Sequence, residues 1–219
     1  ESPYKSPTDM GVNMAGNCIC DDEACREASK QEIIRRYFDA LNALAKGSTS
    51  EKEAQKIELL MNMAGITVTD RKVVIKALER AKETDGPAAA LELRDGRIIT
   101  GKTTNLLGAS AALLLNVLKV LAGIDHETHI ISPESIEPIQ KLKVDYLKSK
   151  NPRLHTDEVL IALSASAATN PQARLALSQL PELAGCQAHT SVMLSDVDIK
   201  IFKKLEVQLT SEAVYEHAL

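Results

Sequence analysis

The chain has 219 residues, with 26 lysines and arginines against 30 aspartates and glutamates, for a net charge of -4. That length supports one large domain or two small ones, with a core large enough to fold without disulfide or metal staples. The negative charge and the aromatic content of 3% exclude a typical nucleic-acid-binding protein, because such proteins use excess positive charge and base-stacking platforms. The hydrophobic fraction is 44% and mostly aliphatic, which is typical of helices packed on a small sheet.

No segment predicts a membrane span or a secretory signal. The most apolar run, residues 106–121, is short for a bilayer and contains Asn116 and Lys119, so we expect a buried helix. For the cysteines we expect reduced thiols, a cytoplasmic location and no metal, because their spacing is not that of a zinc site. A soft-ligand metal site that includes His189 remains an alternative. The cysteines are Cys18, Cys20, Cys25 and Cys186.

The first part of the chain predicts an all-helical segment, residues 1–86. Apolar residues recur at helical spacing from an N-cap near residue 21 to a stop at Gly47. A second helix is predicted over residues 50–64 and a third from Asp70 to the break at residues 85–87. The opening residues lack a starting methionine and an apolar periodicity, which suggests a loop inside a longer protein.

From Pro87 onwards the pattern changes to that of an α/β domain, residues 87–219. Residues 89–101 predict a hairpin that turns at Asp95-Gly96. The remaining elements are predicted as helices over residues 105–122, 132–149, 156–168, 171–181 and 195–205, and as strands over residues 128–132, 189–195 and 207–211. We therefore expect a small mixed or parallel sheet covered by helices and preceded by the helical segment. One continuous C-terminal domain that includes both parts is the alternative.

Residues 96–103 match the phosphate-binding string G-x-x-x-x-G-K-T. The β-branched residues between the two glycines favour a hairpin strand instead, whose N–H groups pair with a neighbouring strand. A weaker form of the site survives, because a helix N-terminus beside a lysine attracts anions. An ordinary capped helix with a solvated lysine is the alternative. The candidate ligand-binding residues here are Lys102, Thr103, Thr104 and Asn105.

A second polar cluster lies just before the helix predicted to start near residue 156. Backbone donors, a guanidinium and an imidazole at that position suit a phosphate or a carboxylate. We assign ligand binding to Asn151 and Arg153, and acid–base catalysis to His155 and Asp157. The alternative is structural, with Thr156 as the helix cap and His155 in an internal hydrogen bond.

Strand ends provide a third set of candidates, because ligands of open α/β sheets bind beyond the carboxyl ends of the strands. This rule adds Ser195 to the ligand-binding residues and also points to Ser132. Ser110 lacks the context of a nucleophile elbow and is interpreted as a packing residue. Asp196 and Asp198 are interpreted as capping residues.

Several strings resemble one bacterial family, described as domain of unknown function 1846. The resemblance covers essentially the whole chain, and it implies proteins of about twice this length. It also implies a preceding N-terminal half with a glycine-rich, P-loop-like segment, of which this chain is the C-terminal partner. The strings are ESPYKSPTDMGVNMAG, EASKQEIIRRYF, ITGKTTNLLGASAALLLNVLKVLAGI, IISPESIEPIQKLK and NPRLHTDEVLIALSASAATNP.

Two functions fit these observations. In the first, the chain belongs to an enzyme that binds or processes a nucleotide or a phosphorylated metabolite, with helix starts near Lys102 and His155 sharing one cleft. In the second, the helical segment and the alanine-rich helices pair protomers into a homo-oligomer without catalysis. The sequence identifies no cofactor.

Overall fold

Two units make up the chain in the computed structural model, Glu1–Arg71 and Lys72–Leu219. The structure describes residues 21–216, apart from the side chain of Pro133. The predicted change of character lies at Pro87, whereas the units divide earlier, between Arg71 and Lys72.

The first unit contains two long helices, as predicted. Helix α1 spans Asp22–Ala45, and helix α2 spans Glu51–Ala64. The carboxylate of Asp21 caps α1 by accepting a hydrogen bond from the Ala24 amide at 2.9 Å. Gly65 ends α2 in the left-handed conformation, with φ of 67°, which glycine adopts without a steric penalty.

The second unit alternates helices and strands in the order predicted for an α/β domain. Its helices are α3 (Lys72–Thr84), α4 (Ala109–Leu121), α5 (Pro133–Lys141), α6 (Thr156–Ser166), α7 (Pro171–Leu177) and α8 (Asp196–Lys204). Its strands are β1 (Ala88–Glu92), β2 (Ile98–Lys102), β3 (Gln187–Thr190) and β4 (Gln208–Ser211).

The four strands form one mixed sheet in the order β2-β1-β3-β4. Strand β1 is antiparallel to β2, with Ala90 opposite Thr100, and this pair is the predicted hairpin. Strand β1 is also antiparallel to β3, while β3 and β4 are parallel and joined through α8. The predicted βαβ unit is therefore confirmed, and it leaves the carboxyl ends of β3 and β4 at the same edge of the sheet.

Helices cover both faces of the central strand β1. Ala90 packs with Val73 and Ala77 of α3, whereas Ala89 and Leu91 belong to the large core on the opposite face. Because side chains alternate along a strand, the short Ala side chains allow a helix to approach from each face. This packing explains why α3 belongs to the same unit as the sheet.

Three predicted elements differ in the structure. Residues 128–132 are irregular rather than a strand; Ile130 and Ile131 are buried in the core, and burial alone produces the same apolar run. Strand β3 begins and ends earlier than predicted. Helix α5 ends at Lys141 and continues as a π turn over residues 142–146.

Gly101, the second glycine of the string that resembles a phosphate-binding loop, has a packing role instead. Strand β2 covers the middle of that string, and its backbone pairs with β1, so the phosphate-loop interpretation is wrong. A Cβ atom at Gly101 would lie 2.2 Å from the Leu113 amide nitrogen and 2.9 Å from the Ala109 carbonyl oxygen. The glycine is therefore required for the close approach of α4 to β2.

The substitution Gly101→Ala tests this packing constraint. We expect it to lower the free energy of unfolding by about 3 kcal/mol or more, because backbone atoms of α4 have to move. Urea denaturation followed by circular dichroism measures the change. Gly86→Ala is the control, since the nearest atom to its Cβ is the Thr84 carbonyl oxygen at 3.8 Å. An equal effect of both substitutions would contradict the interpretation.

Candidate functional site

A cavity of about 210 Å³ lies just beyond the carboxyl end of β3, and we call it the His155 cavity. Its position agrees with the rule that places ligands at the carboxyl ends of strands. The residues that line it come from the starts of three helices, from the residue before β1 and from the segments that follow β2, β3 and β4. They are Pro87, Thr103, Gly108, Ala109, Ser110, Asn151, Arg153, Leu154, His155, Val192, Met193, Leu194, Ser195, Asp198 and Glu216.

Helices α4, α6 and α8 all begin at the wall of this cavity. A short parallel bridge between Leu107 and Leu154 fixes the first two side by side. The Leu154 amide donates to the Leu106 carbonyl at 2.9 Å, and the Gly108 amide donates to the Leu154 carbonyl at 3.2 Å. These bonds place the N-termini of α4 and α6 next to each other.

Side chains from within the protein cap two of these three helix starts. The Thr156 amide at the start of α6 donates to Asp198 Oδ1 at 2.9 Å, and the His155 amide donates to Glu158 Oε2 at 2.8 Å. At the start of α8 the Asp198 amide donates to Ser195 Oγ at 3.2 Å. The backbone donors at these helix ends are therefore largely satisfied without a ligand.

Helix α4 differs, because its first turn is buried but not capped. Its N-cap residue is Gly108, which has no side chain to accept a hydrogen bond. Within residues 21–216, the amides of Ala109, Ser110 and Ala111 have no acceptor. Ser110 is 3% exposed and lines the cavity, and its hydroxyl forms no hydrogen bond with another described residue. A buried helix start with unpaired donors requires a partner.

Asp198 and His155 form the charged centre of the cavity. His155 Nδ1 lies 3.1 Å from Asp198 Oδ2, and this hydrogen bond raises the pKa of His155 against the opposing effect of burial. Burial would raise the pKa of Asp198, but hydrogen bonds from His155, Thr156 and Ser195 outweigh it and lower the pKa to about 2. The carboxylate is therefore ionised at neutral pH and stabilises the protonated imidazole.

The hydroxyl of Ser195 supports this pair rather than acting as a nucleophile. Ser195 Oγ donates to Asp198 Oδ2 at 2.8 Å and lies 3.5 Å from His155 Nδ1. A catalytic serine needs the basic imidazole nitrogen, but Nδ1 already faces the carboxylate. The other ring nitrogen, Nε2, has no hydrogen-bond partner among the residues that the structure describes.

Arg153 supplies a second positive charge to the cavity. Its Nη1 atom donates to Glu216 Oε1 at 2.6 Å. The Asn151 side chain accepts a hydrogen bond from the Arg153 amide at 3.1 Å and thereby shapes the turn before α6. Lys143 Nζ holds the same turn by donating to the Arg153 carbonyl at 2.6 Å and to Glu158 Oε2 at 2.7 Å.

The predicted site residues divide between two cavities. Those in the His155 cavity are Thr103, Asn151, Arg153, His155 and Ser195. Those in a second, larger cavity are Lys102, Thr104 and Asn105. Asp157 is in neither set of lining residues, and its carboxylate accepts a hydrogen bond from the neighbouring Glu158 amide at 2.8 Å. The candidate clusters around Lys102 and His155 therefore do not share a single cavity.

Two residues have a part in the cavity that the sequence did not reveal. Asp198 was expected to cap its own helix, but it caps α6 and binds His155, which lie far away in the sequence. Ser110 was interpreted as a packing residue, and it is buried, but it also lines the cavity. The absence of Ser, Thr, Asp or Asn immediately before α4 was the available signal, because such a helix start has no local cap.

Neither a metal cluster nor a membrane span occurs in the described part of the chain. Across residues 21–216 no group of three or more His, Cys, Asp or Glu residues is arranged to hold a metal ion. Cys18 and Cys20 lie outside those residues. His189 is fully buried, with Nδ1 2.8 Å from Thr210 Oγ1. Among the described helices, none has the length and apolar character needed to cross a bilayer.

Comparison with known proteins gives consistent matches along the chain. It is 60% identical over 213 residues to a UPF0371 protein of Corynebacterium aurimucosum, and the match covers 97% of this chain and 43% of that protein. It is 58% identical to UPF0371 protein cu0538 of Corynebacterium urealyticum, covering 98% of this chain and 43% of the relative. A UPF0371 protein of Streptococcus thermophilus is 51% identical and is matched over 99% of this chain and 44% of its own length.

The chain thus spans less than half of the length of the curated relatives it matches. Two family models also match it, one described as domain of unknown function DUF1846, N-terminal, over residues 1–65, and one described as its C-terminal counterpart over residues 69–219. These matches do not bear out the narrower expectation that the chain is the family's C-terminal part. They show that the chain belongs to the DUF1846 family.

Proposed function

We propose that the His155 cavity binds the anionic group of a phosphorylated small molecule and that His155 exchanges a proton with that molecule. The buried, uncapped start of α4 is the observation that carries the proposal. The backbone of Ala109 and Ser110 and the Ser110 hydroxyl line the cavity at that point, where these donors match the oxygens of a phosphate and the helix dipole favours negative charge. The positive charges of Arg153 and protonated His155 act in the same direction.

The size of the cavity limits which part of the molecule it holds. A volume of about 210 Å³ is smaller than the roughly 300–1,000 Å³ of pockets that enclose a whole drug-sized ligand. A phosphate group fits, and the rest of a nucleotide or a metabolite extends outside. The Glu216 carboxylate, 2.6 Å from Arg153, competes with the incoming anion for that guanidinium.

The contact with Asp198 prepares His155 for proton transfer. It fixes the imidazole through Nδ1 and leaves Nε2 as the nitrogen that meets the ligand. The raised pKa of His155 keeps a larger share of the ring protonated near neutral pH, so the ring both attracts an anion and donates a proton. Asp157 remains a predicted catalytic residue, although it would act from outside the cavity wall.

The proposal also covers the rest of the protein and its location in the cell. Because the relatives are more than twice as long, the remainder of such a protein is the partner that we expect beside this chain. Free thiols at Cys25 and Cys186 are consistent with the expected cytoplasmic location.

The second candidate function is pairing of two copies through α2. One face of this helix exposes Leu59, Leu60 and Met63, at 61%, 49% and 79% respectively, while Ala54 and Met61 are buried on the opposite side. Contiguous exposed apolar side chains of this kind are typical of protein interfaces. A second copy of the chain is the partner that we propose for this face.

Inorganic phosphate provides the first test of the His155 cavity. We expect phosphate to raise the melting temperature relative to chloride at equal ionic strength, because a ligand that binds only the folded state stabilises it. Arg153→Ala, His155→Ala and Ser110→Ala should each weaken phosphate binding about tenfold, since each removes one hydrogen bond to a charged group. Differential scanning fluorimetry and isothermal titration calorimetry measure these effects.

The matched control is Arg97→Ala. Arg97 lies in the β1–β2 turn, where it pairs with Asp95, and it does not line the cavity. Its substitution by alanine removes one positive charge, as Arg153→Ala does. Glu216→Gln should strengthen phosphate binding by releasing Arg153. Absence of phosphate stabilisation in the unmodified chain, or an equal loss in Arg97→Ala, would refute the proposal.

The substitution Asp198→Asn tests the charged pair. The carboxylate stabilises the fold above its ordinary pKa of 3.8, and this contribution is lost as the pH falls towards about 2. The contribution of His155 is complete below its ordinary pKa of 6.5 and is lost as the pH rises through its raised value. At about pH 5 we expect the substitution to cost about 2 kcal/mol of unfolding free energy, with a smaller cost at about pH 8.

Urea denaturation at both pH values and an NMR titration of the His155 ring measure this effect. The pKa of His155 should fall in Asp198→Asn. Asp196→Asn, an exposed position in the same helical turn, is the control and should leave the titration unchanged. An unaltered His155 titration in Asp198→Asn would show that the two side chains are not coupled.

The pairing of two copies is tested by light scattering. We expect the unmodified chain to be a dimer and the double substitution Leu59→Ser with Met63→Ser to be a monomer, because it replaces two exposed apolar side chains by polar ones. Ile161→Ser, at a 67% exposed position on α6, is the control and should remain a dimer. A monomeric unmodified chain would rule out this function.

A further inference from the structure

A second cavity, of about 520 Å³, lies between β2, α4 and the segment after residue 125. We call it the Lys119 cavity. It shares no lining residue with the His155 cavity. Even neighbouring residues divide between the two: Lys102 and Thr104 line the Lys119 cavity, whereas Thr103 lines the His155 cavity. Its volume lies in the range of pockets that enclose a small organic molecule.

Basic side chains line the Lys119 cavity. They are Arg80, Lys102 and Lys119, together with His126 and His129, and no aspartate or glutamate from the described part of the chain is among the lining residues. A concave surface with one sign of charge concentrates the electrostatic potential and attracts ligands of the opposite sign. The cavity therefore favours an anion.

Lys119 is the most unusual of these groups, because it is only 8% exposed. Its ammonium donates to the backbone carbonyl of His126, which is a neutral acceptor, and it has further N–H donors to offer. Burial lowers the pKa of Lys119, and the more distant carboxylates of Asp125 and Glu127 offset this only in part. A buried ammonium of this kind is stabilised by a directly bound anion.

Arg80 is a second cation of this cavity. Its Nη1 atom donates to Glu83 Oε2 at 3.0 Å, whereas its buried Nε atom has no hydrogen-bond partner among residues 21–216. Buried polar atoms without a partner are rare in folded proteins, and they indicate a missing ligand or water. Arg80 thus brings a second cationic side chain to the cavity that Lys119 lines.

The rest of the lining is mainly apolar. Leu106, Leu115, Ile130 and Ile136 contribute aliphatic surface, and the Asn116 amide is already used in a hydrogen bond to the Thr100 carbonyl at 2.9 Å. An inorganic ion would leave this surface in contact with water. A ligand that combines a charged end with an apolar body would cover it.

We propose that the Lys119 cavity binds a small organic carboxylic acid, with its carboxylate at Lys119 and Arg80 and its apolar body against Leu115, Ile130 and Ile136. This proposal does not rest on the function of the His155 cavity. The two sites differ in chemistry, since one offers backbone amides to a compact anion and the other offers buried side-chain cations beside aliphatic surface.

Three probes separate the two parts of this ligand: octanoate carries both, octanol carries only the apolar body, and acetate carries only the carboxylate. NMR titration of the methyl groups of the unmodified chain measures their binding. We expect octanoate to bind about tenfold or more tightly than either other probe, with shifts at Leu115, Ile130 and Ile136. Octanol binding equal to octanoate, no saturable octanoate binding, or shifts confined to other methyl groups would overturn the proposal.

The variant Lys119→Met preserves the length of the side chain and removes its charge. We expect about tenfold weaker octanoate binding and unchanged octanol binding. Lys76→Met, on the exposed side of α3, is the matched control and should bind octanoate normally. Arg153→Ala should also bind octanoate normally, which separates this site from the His155 cavity. Unchanged octanoate binding in Lys119→Met would refute the role of the ammonium. If that variant does not fold, the titration of the unmodified chain with the three probes decides whether the cavity binds a carboxylic acid.

Discussion

The carboxylate of Asp198 joins parts of the second unit that lie far apart in the sequence. It accepts the Thr156 amide and hydroxyl at 2.9 and 2.8 Å, contacts His155 at 3.1 Å and receives the Ser195 hydroxyl at 2.8 Å. These bonds connect the start of α6 to the start of α8. The orientation of His155 and the shape of its cavity depend on this one side chain, because a buried carboxylate with several donors admits few arrangements.

The sequence predicted the fold well where local signals agree. The hairpin at Asp95-Gly96 and the helix N-cap near residue 21 are local features, and each appears as expected. The irregular segment around Ile130 was mistaken for a strand, because buried loops and buried strands share the same apolar composition. A strand is distinguished from a buried loop by its length and by the strand it pairs with, and a short apolar sequence shows neither.

Only the part of the site that is contiguous in the sequence was predicted. The residues before α6 were recognised because Arg153 and His155 lie together in the sequence, and the structure places both at one cavity. Asp198, Ser110 and Glu216 reach this cavity only through tertiary packing. Tertiary packing also decides that Lys102 and His155 line different cavities, although the Leu107–Leu154 bridge holds the segments before α4 and α6 side by side.

The segment of residues 102–108 lines both cavities. Lys102, Thr104 and Leu107 face the Lys119 cavity, whereas Thr103 and Gly108 face the His155 cavity. This segment therefore contributes to the walls of both spaces. Because protein interiors are close-packed, a displacement of the segment changes the shape of both spaces at once.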